Sequence, residues 1–472
     1  MWRSIIRAQS QLTAIAAGVC VAASPGLAQP RLVDLLITNA SVIDVVTGRI
    51  ARAQFIATRG DTIVGVGRAD IARGMRAARR IDAGGRFVVP ALWDMHVHFG
   101  GGPELIGENR ALLPLYTAHG IVAVRDAAGD LAETVLAWRD SIAAGTLAGP
   151  MLFTSGPKIE GINSVWPGDI EVDTRAGVDS ALDRLQAMRV DFVKLTDNTL
   201  KPDLFRYALG EIRKRGMRSS AHIPSAVSVR EAIMLGLGSI EHLSYAVRAG
   251  AEREGQPTAS DMIAGFDSTT AMATYRLMSA RGTAITPTLN ISRTLAWLDT
   301  DTHATDSYLR YIGPRLQATY QGRVTRAAQA DSAAIARRHR MYEFTSARLP
   351  MLQAAGVLIL AGTDAGFLNS FDYPGIGLHD ELRLMVLAGL TPLQALRGAT
   401  INGARFLGLT ARHGTIARGK SANLLILDRN PLTDISATRG IYALVQRGAW
   451  HDRAALDALL AAAAAAVTAM PR

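Results

Sequence analysis

Short apolar segments alternate with longer helical patterns through the middle of the chain. This alternation is typical of repeated βα units, in which short buried strands form a parallel sheet that helices cover. It predicts an α/β fold, a (β/α)8 TIM barrel over residues 90–405 with room for insertions. The apolar segments are Phe87–Pro90 leading into Trp93–His98, then Ile121–Val124, Met151–Thr154, Val190–Lys194, Arg218–His222, Gly238–His242, Thr283–Pro287 and Val357–Ala361.

The two ends of the chain carry a different pattern, in which short strands are separated by turn residues. We expect residues 29–89 and 406–450 to pair into one small accessory β-sandwich domain built from both chain ends. Residues 451–472 then form an Ala-rich C-terminal helical tail. The strands predicted for the accessory domain are Leu32–Ile37, Ser41–Val45, Gln54–Ala57, Thr62–Val66, Ala422–Asp428 and Ile441–Val445.

The first 28 residues have the layout of a secretory signal peptide. Arg3 and Arg7 precede the apolar stretch 12–23, and the small-residue site Gly26-Leu27-Ala28 comes before Gln29. The apolar stretch is shorter than the roughly 20 residues that a bilayer span needs. We therefore predict a signal peptide over residues 1–28, no membrane span, and a periplasmic or secreted protein.

Composition narrows the chemistry. A chain of 472 residues with 49% hydrophobic content can bury a large core. The net charge of +10 comes from scattered arginines, without the interleaved basic and aromatic runs that bind nucleic acid, so no nucleic-acid partner is expected. The single cysteine, Cys20, lies in the predicted signal peptide. Any metal ion in the mature protein must therefore be held by nitrogen and oxygen atoms.

Polar side chains gather at the carboxyl ends of the predicted barrel strands, which is the face where barrel active sites lie. Residues two apart on a strand point the same way, so a His-x-His pair can bind one cation. A single inward histidine or lysine is more often a hydrogen-bonded core residue. Packing hardly explains the convergence of six of them on one rim, and this convergence indicates a functional site formed by His96, His98, Lys194, His222, His242 and Asp364.

Taken together, these motifs resemble the amidohydrolase superfamily, in its branch of imidazolonepropionase-like proteins and Xaa-Pro dipeptidases. The resemblance runs from about Leu35 to Gly448. One departure lies in the loop 156–168, where many relatives carry a Gly-Gly-His feature that this chain lacks. The segments that carry the resemblance are Asp94–His98, Val190–Leu195, Ile240–His242, Ala361–Gly366, Leu390–Leu396 and Gly414–Asn423.

The resemblance implies a binuclear centre. His96, His98 and Asp364 would hold the more buried of two divalent metal ions, and His222 and His242 the more exposed one. Lys194 would bridge the two ions as a carbamate formed with carbon dioxide, which requires a neutral amine and hence apolar surroundings. A set of nitrogen and oxygen ligands suits zinc, with manganese, cobalt and iron also compatible.

The resemblance also implies a reaction. A hydroxide shared by the two metal ions would cleave an amide or peptide-like C–N bond of a small molecule, such as a dipeptide or an N-acyl amino acid. Asp364 would take the proton and pass it to the departing amine. Tyr245 resembles a tyrosine that reaches the substrate carbonyl or carboxylate, and a core tyrosine is the alternative interpretation.

Other functions stay open at this point. A lactonase or phosphotriesterase could use the same metal centre. A mononuclear deaminase would need no lysine on the fourth strand and usually places a glutamate soon after the fifth-strand histidine, where this chain has Ile223-Pro224-Ser225. A non-catalytic scaffold would not need a complete ligand set. The sequence leaves the oligomeric state open, including a homo-oligomer.

Overall fold

The computed structural model describes residues 32–252 and 259–471. The signal peptide predicted over residues 1–28 lies outside the described residues, so it stays a prediction together with the periplasmic or secreted location. Within the described ranges, none of the helices is long and apolar enough to cross a bilayer.

Strands occupy both ends of the chain and recur between helices through its middle. In chain order they are β1 (Val33–Ile43), β2 (Ile50–Arg59), β3 (Thr62–Arg68), β4 (Ala77–Asp82), β5 (Phe87–Pro90), β6 (Leu92–His98), β7 (Ile121–Asp126), β8 (Met151–Thr154), β9 (Ile159–Glu160), β10 (Ile170–Glu171), β11 (Val193–Leu195), β12 (Ser219–Ala221), β13 (Ser239–Glu241), β14 (Ala284–Thr286), β15 (Ala365–Gly366), β16 (Leu424–Leu427), β17 (Ile441–Gln446) and β18 (Ala449–Asp452).

Helices follow most of the strands in the middle of the chain, as the alternating pattern predicts. The last helix, Arg453–Thr468, lies within the predicted helical tail and buries Leu456 and Ala463. The α-helices are Ile106–Ala111, Leu113–Ala118, Ala132–Ala144, Arg175–Ala187, Pro202–Lys214, Val229–Met234, Leu243–Val247, Ala259–Ala264, Ser268–Arg281, Leu289–Ala296, Pro314–Ala328, Ser332–Ser346, Leu349–Ala354, Ile376–Leu387, Pro392–Gly398, Ile401–Phe406 and Arg453–Thr468.

The middle of the chain forms two sheets of parallel strands. One has the order β15-β6-β7-β8 and the other the order β10-β9-β11-β12-β13-β14. Backbone hydrogen bonds connect the sheets at both sides. On one side Asp191 N donates to Thr154 O (2.9 Å). On the other side the segment 357–361 lies between β14 and β6, where Leu360 N donates to Ile285 O (2.8 Å) and Met95 N donates to Ala361 O (2.9 Å). The predicted last strand, Val357–Ala361, forms only an isolated bridge from Ile359 to Ile285.

Strands from both chain ends share one sheet, in the order β18-β17-β16-β5-β1-β2-β3, with β4 paired to β1. The two ends therefore meet as expected. In the described residues they form this single mixed sheet, and the two facing sheets of a sandwich are not shown. Alternating residues of β1 face opposite sides, so Leu35 and Ile37 enter one apolar cluster and Leu36 enters another. The domain boundaries stay predictions.

Candidate metal centre

His96 and His98 lie near the carboxyl end of β6, which is flanked by β15 and β7. Every residue of this strand is buried, because neighbours cover both of its faces. The two imidazoles alternate with the apolar Met95 and Val97 and therefore face the same side. The sequence expectation that this pair shares one direction is consistent with their ring centroids, which lie 5.0 Å apart.

The other four predicted residues lie at or next to the ends of neighbouring strands. Lys194 is the middle residue of β11, His222 directly follows β12, and His242 directly follows β13. Asp364 directly precedes β15. His242 and Asp364 have left-handed backbone conformations, with φ of 66° and 79°. Such conformations are costly for residues other than glycine and concentrate at functional sites.

Three of these side chains meet at the Asp364 carboxylate. Its Oδ1 lies 2.7 Å from Nε2 of His98 and 3.1 Å from Nε2 of His96. One ligand atom each from His96, His242 and Asp364 lies within 4.8 Å of the others. Burial alone would raise the pKa of the Asp364 carboxyl, but the surrounding histidines outweigh burial and hold it well below its ordinary value. Asp364 is therefore an anion among imidazoles.

The His222 imidazole extends the cluster. Its ring centroid lies 4.7 Å from that of His242, which in turn lies 5.2 Å from that of His96. Burial lowers the pKa of His242 to about 3 and that of His222 well below its ordinary value, where the nearby Lys194 adds to the effect of burial. Both rings are therefore neutral, which is the form that binds a metal ion.

Hydrogen bonds at Nδ1 orient the two imidazoles of β6. The His96 Nδ1 lies 2.7 Å from Glu241 Oε2, and the His98 Nδ1 lies 3.4 Å from the Ala128 carbonyl. A carboxylate and a carbonyl only accept, so we place the proton of each ring on Nδ1. The lone pair of each ring is then on Nε2, and these two Nε2 atoms lie 3.2 Å apart.

The His242 imidazole follows the same arrangement, and the His222 ring has an aspartate near its Nδ1 at longer range. The His242 Nδ1 lies 2.7 Å from the Thr288 hydroxyl, and the His222 Nδ1 lies 3.7 Å from Asp197 Oδ1. The His222 Nε2 is buried and has no hydrogen-bond partner among the described residues. Oxygen partners at Nδ1 that leave Nε2 free are the usual outer contacts of histidines that bind metals. The imidazoles therefore fit a cation held at their Nε2 atoms.

Lys194 is a buried amine without a partner. Its side chain is 1% exposed, and its Nζ makes no hydrogen bond with any described residue. Burial lowers the pKa of Lys194 to about 8, against the opposing pull of the Glu241 carboxylate. The Lys194 amine is therefore neutral in a large fraction of the molecules near pH 8. A buried polar atom without a hydrogen-bond partner is costly unless another group binds it.

A buried ion pair between Arg125 and Glu241, which was not predicted from the sequence, holds the His96 ring through the Glu241 carboxylate. The Arg125 Nη2 donates to both carboxylate oxygens of Glu241 at 2.8 Å, and the hydroxyls of Ser220 and Ser239 donate to Oε1 at 2.6 Å. Burial alone would raise the pKa of the Glu241 carboxyl, but Arg125 and His96 outweigh burial and hold it well below its ordinary value. A buried charged residue directly before His242, within the Ile240–His242 motif, is the sequence signal for Glu241.

Replacing Glu241 with glutamine is expected to destabilise the protein by about 3–5 kcal/mol, because the variant leaves the fully buried Arg125 guanidinium without a counter-charge. Denaturant unfolding measures this loss. Glu343→Gln, at an exposed helical position, serves as the matched control and should unfold like the unmodified protein. Unchanged unfolding of Glu241→Gln would contradict a charged pair at this position.

Two glycines of the Ala361–Gly366 motif allow the close approach of the chain behind the histidines. A Cβ atom on Gly362 would come within 2.8 Å of the His96 Cβ. A Cβ on Gly366, where φ is 127°, would collide with the His98 carbonyl oxygen. Larger residues at either position would therefore displace β6 and its two imidazoles.

Tyr245 lies beside the histidine cluster. Its ring stacks on that of His222 with centroids 5.1 Å apart, and its hydroxyl donates to both oxygens of Asp197 at 3.0 Å. Burial, followed by the Asp197 carboxylate, raises the pKa of the Tyr245 phenol, so it stays protonated. Asp197 was not predicted from the sequence, and its position just beyond the Lys194 strand is the signal that could have found it.

A cavity of about 260 Å³ opens onto the cluster. The loop 156–168, where this chain departs from its relatives, supplies Lys158 and Trp166 to the wall. Lys158 pairs with Asp169 at 2.7 Å and lies 4.5 Å from the centre of the Trp166 ring. The residues that line the cavity are His98, Ala128, Lys158, Trp166, Lys194, Thr196, Asp197, Asn198, His222, His242, Tyr245, Arg323, Asp364 and Asn369.

Known proteins are similar to this chain in sequence and in fold. The imidazolonepropionase of Sphingopyxis alaskensis is 25% identical over 389 residues, which cover 78% of this chain and 84% of that protein. The structure of a Xaa-Pro dipeptidase with bound methionine superposes with a TM-score of 0.68 at 20% identity, over 89% of this chain and 99% of the other. The structure of a bottromycin amidohydrolase superposes with a TM-score of 0.72 at 21% identity, over 92% of this chain and 90% of the other. These structural likenesses show a common fold.

The family model gives the broader result. The model of the amidohydrolase family matches residues 87–449, which include every predicted site residue and most of the chain. The resemblance inferred from the motifs is confirmed by this match and by the relatives of the imidazolonepropionase and Xaa-Pro dipeptidase kinds. This protein belongs to the amidohydrolase family and is a hydrolase that acts on carbon–nitrogen bonds.

Proposed function

We propose that this hydrolase cleaves an amide or peptide-like bond of a small molecule with two divalent metal ions, of which zinc suits the ligands best. His96, His98 and Asp364 would hold one ion, and His222 and His242 the other. Lys194, as a carbamate, would bridge them. The observation that carries the proposal is the convergence of imidazole Nε2 atoms, one carboxylate and an unpartnered buried amine on one cavity.

The Lys194 carbamate is supported by the amine's surroundings. The Nζ is buried without a hydrogen-bond partner among the described residues, and its lowered pKa favours the neutral form that adds carbon dioxide. The added carboxylate would supply the oxygen atoms that the single Asp364 cannot supply to two cations. A mononuclear deaminase gives no reason for a buried amine at this position.

Bound divalent ions would lower the pKa of water toward neutrality and polarise the scissile carbonyl. The chain's own residues account for binding and proton transfer. Asp364 offers a carboxylate oxygen that can take a proton at Oδ1 and return it to the departing amine nitrogen. The Asp364 carboxyl is ionised at neutral pH, so this oxygen can accept a proton. Glu241 and Thr288 keep the His96 and His242 rings oriented during the reaction.

The protonated Tyr245 hydroxyl, which donates to Asp197 in the structure, would turn from Asp197 to donate to a substrate oxygen. Tyr245→Phe is expected to reduce kcat/KM by about 10-fold, since one hydrogen bond contributes roughly 0.5–1.5 kcal/mol. Steady-state kinetics measure this loss. Tyr207→Phe removes a similar tyrosine–aspartate hydrogen bond, from Tyr207 to Asp179 (2.9 Å), on a helix outside the cavity. This control should keep full activity, and equal losses in both variants would remove Tyr245 from substrate binding.

The small cavity and the Xaa-Pro dipeptidase relative support a dipeptide or an N-acyl amino acid as substrate. The same proposal takes the two parallel sheets as one closed (β/α)8 barrel, which the backbone hydrogen bonds at both edges support. The predicted signal peptide supports a periplasmic or secreted location. We leave the oligomeric state open.

The proposed activity is tested on purified protein supplied with zinc and bicarbonate. We expect hydrolysis of dipeptides or N-acyl amino acids, its loss on chelation, and its return when zinc is restored. A lactone and a phosphotriester serve as comparison substrates for the alternative bonds. Activity on those two alone would overturn the amide assignment, and no hydrolysis of any substrate would favour a non-catalytic scaffold.

A further inference from the structure

A positively charged side chain lines the same cavity as the predicted ligands and has no role in the account so far. Arg323 lies on the helix Pro314–Ala328, within an insertion whose sequence carries no recognisable motif. It is partly buried and faces the same cavity as Lys194 and Asp364. Among the residues that the structure describes, Arg323 has no hydrogen-bond or ion-pair partner.

The other charged side chains of the cavity wall have a hydrogen-bond or ion-pair partner or belong to the metal centre. Lys158 pairs with Asp169, and Asp197 accepts from Tyr245. Asp364 lies against the imidazoles of the metal centre, and Lys194 belongs to the same centre in the proposed function. The guanidinium of Arg323 is therefore left over when these pairs are formed.

The surroundings of Arg323 oppose an isolated cation. Burial lowers its pKa, with Asp364 acting in the opposite direction and Arg326 adding to the effect of burial. An arginine stays charged even so, since its ordinary pKa lies above 12. A charge that is partly removed from water and lacks a partner is costly, and an anion that enters the cavity would recover that cost.

We propose that Arg323 binds a carboxylate of the substrate, so that the enzyme selects amides with a free carboxylate, such as N-acyl amino acids and dipeptides with an unblocked C-terminus. The proposal rests on the proposed function, because it assigns the substrate class of the same site. A guanidinium presents two parallel N–H donors that match the two oxygens of a carboxylate. Arg323 is thus a specificity-determining residue.

The rest of the cavity suits such a substrate. A volume of about 260 Å³ admits only a small ligand, since pockets for drug-sized molecules measure roughly 300–1,000 Å³. Trp166 and Tyr245 offer aromatic surface for an apolar side chain. With the scissile carbonyl at the metal centre and the carboxylate at Arg323, the substrate would be held at two points, which fixes its orientation.

Binding without turnover gives the first test. N-benzyl-L-phenylalanine carries a free carboxylate and no cleavable amide, and N-benzyl-L-phenylalaninol is its uncharged counterpart. Calorimetry on the zinc-loaded protein should show about 10- to 100-fold tighter binding of the carboxylate, the range for a hydrogen-bonded charge. Arg323→Met should abolish this preference, and Arg323→Lys should keep part of it. Arg326→Met, which removes an exposed arginine of the same helix, should change nothing.

Hydrolysis of N-acetyl-L-phenylalanine and of N-acetyl-L-phenylalaninamide gives the second test. The unmodified enzyme should favour the free carboxylate, and Arg323→Met should lose that preference mainly through KM. Equal binding of the two N-benzyl probes, binding of neither, or a preference that survives in Arg323→Met would overturn the role of Arg323. If the unmodified enzyme preferred the N-benzyl carboxylate in binding but hydrolysed neither acetylated substrate, the proposed function would be overturned instead.

Discussion

Replacing Lys194 with alanine is expected to reduce amide hydrolysis by about 10³-fold. The proposed bridge between two cations would be lost, and with it charge stabilisation of several kcal/mol, which corresponds to that factor in rate. The bound metal should fall below two ions per chain. Steady-state kinetics and elemental analysis on the same preparation measure both effects.

Two comparisons make the Lys194 result specific. Lys201→Ala removes an exposed lysine at the start of a neighbouring helix and should leave turnover and metal content unchanged. Short carboxylic acids such as propionate should restore part of the activity of Lys194→Ala, because they can supply the missing carboxylate in the space left by the side chain. Full activity of Lys194→Ala, with native circular dichroism, would remove the carbamate from the account.

The second large effect is expected for Asp364→Asn. Proton transfer by a positioned side chain contributes roughly 10²- to 10⁴-fold to a rate, and an amide can neither take the proton nor neutralise a cation as a carboxylate does. We therefore expect a loss of about 10³-fold in kcat. Measuring kcat of Asp364→Asn across a pH series shows whether the loss persists at every pH at which the variant is folded.

Metal analysis of the same variant separates the two parts that Asp364 plays in the proposal. Retention of both ions with loss of turnover assigns the loss to proton transfer, whereas loss of one ion assigns it to metal binding. Asp173→Asn, at an exposed position before the helix Arg175–Ala187, is the control and should behave like the unmodified enzyme. Turnover in Asp364→Asn equal to that of the control would exclude both parts.

The metal-centre candidates could be selected from the sequence because each lies at or near the end of a short predicted strand. Parallel strands in register bring their carboxyl ends to one edge, so position along the chain predicts position in space. The pairing of Lys194 with Ser220 across β11 and β12, and of Ser220 with Ser239 across β12 and β13, shows this register. Residues adjacent to these pairs then share the rim of the sheet.

The groups that orient the centre could not be found in this way. Arg125 and Glu241 are 116 residues apart in the sequence, and they meet because both side chains point from their strands into the interior. A local sequence pattern does not encode such a long-range contact. Thr288 reaches His242 from a left-handed conformation with φ of 48°, which propensities do not predict for threonine. Arg323 belongs to an insertion without a repeat or motif, so only the folded chain relates it to the cavity.

The segment Val357–Ala361 was predicted as a barrel strand, but the structure shows only an isolated bridge there, for a local reason. On the β14 side, two backbone hydrogen bonds meet at Ile285, from Ile285 N to Leu358 O and from Leu360 N to Ile285 O. On the β6 side, Met95 N donates to Ala361 O, and neither side forms a continuous ladder. An apolar run indicates burial, and burial alone does not determine that every residue of the run joins a ladder. The strand next to β6 is instead the short β15.

The central claim is that one cavity of this protein holds two divalent metal ions on His96, His98, Lys194, His222, His242 and Asp364. Anomalous diffraction at the zinc edge, on crystals of protein purified with zinc and bicarbonate, tests it most directly. We expect two zinc peaks per chain beside these side chains, with density for a carbamate on Lys194 between them. A single peak, or zinc bound elsewhere with Lys194 unmodified, would contradict the account.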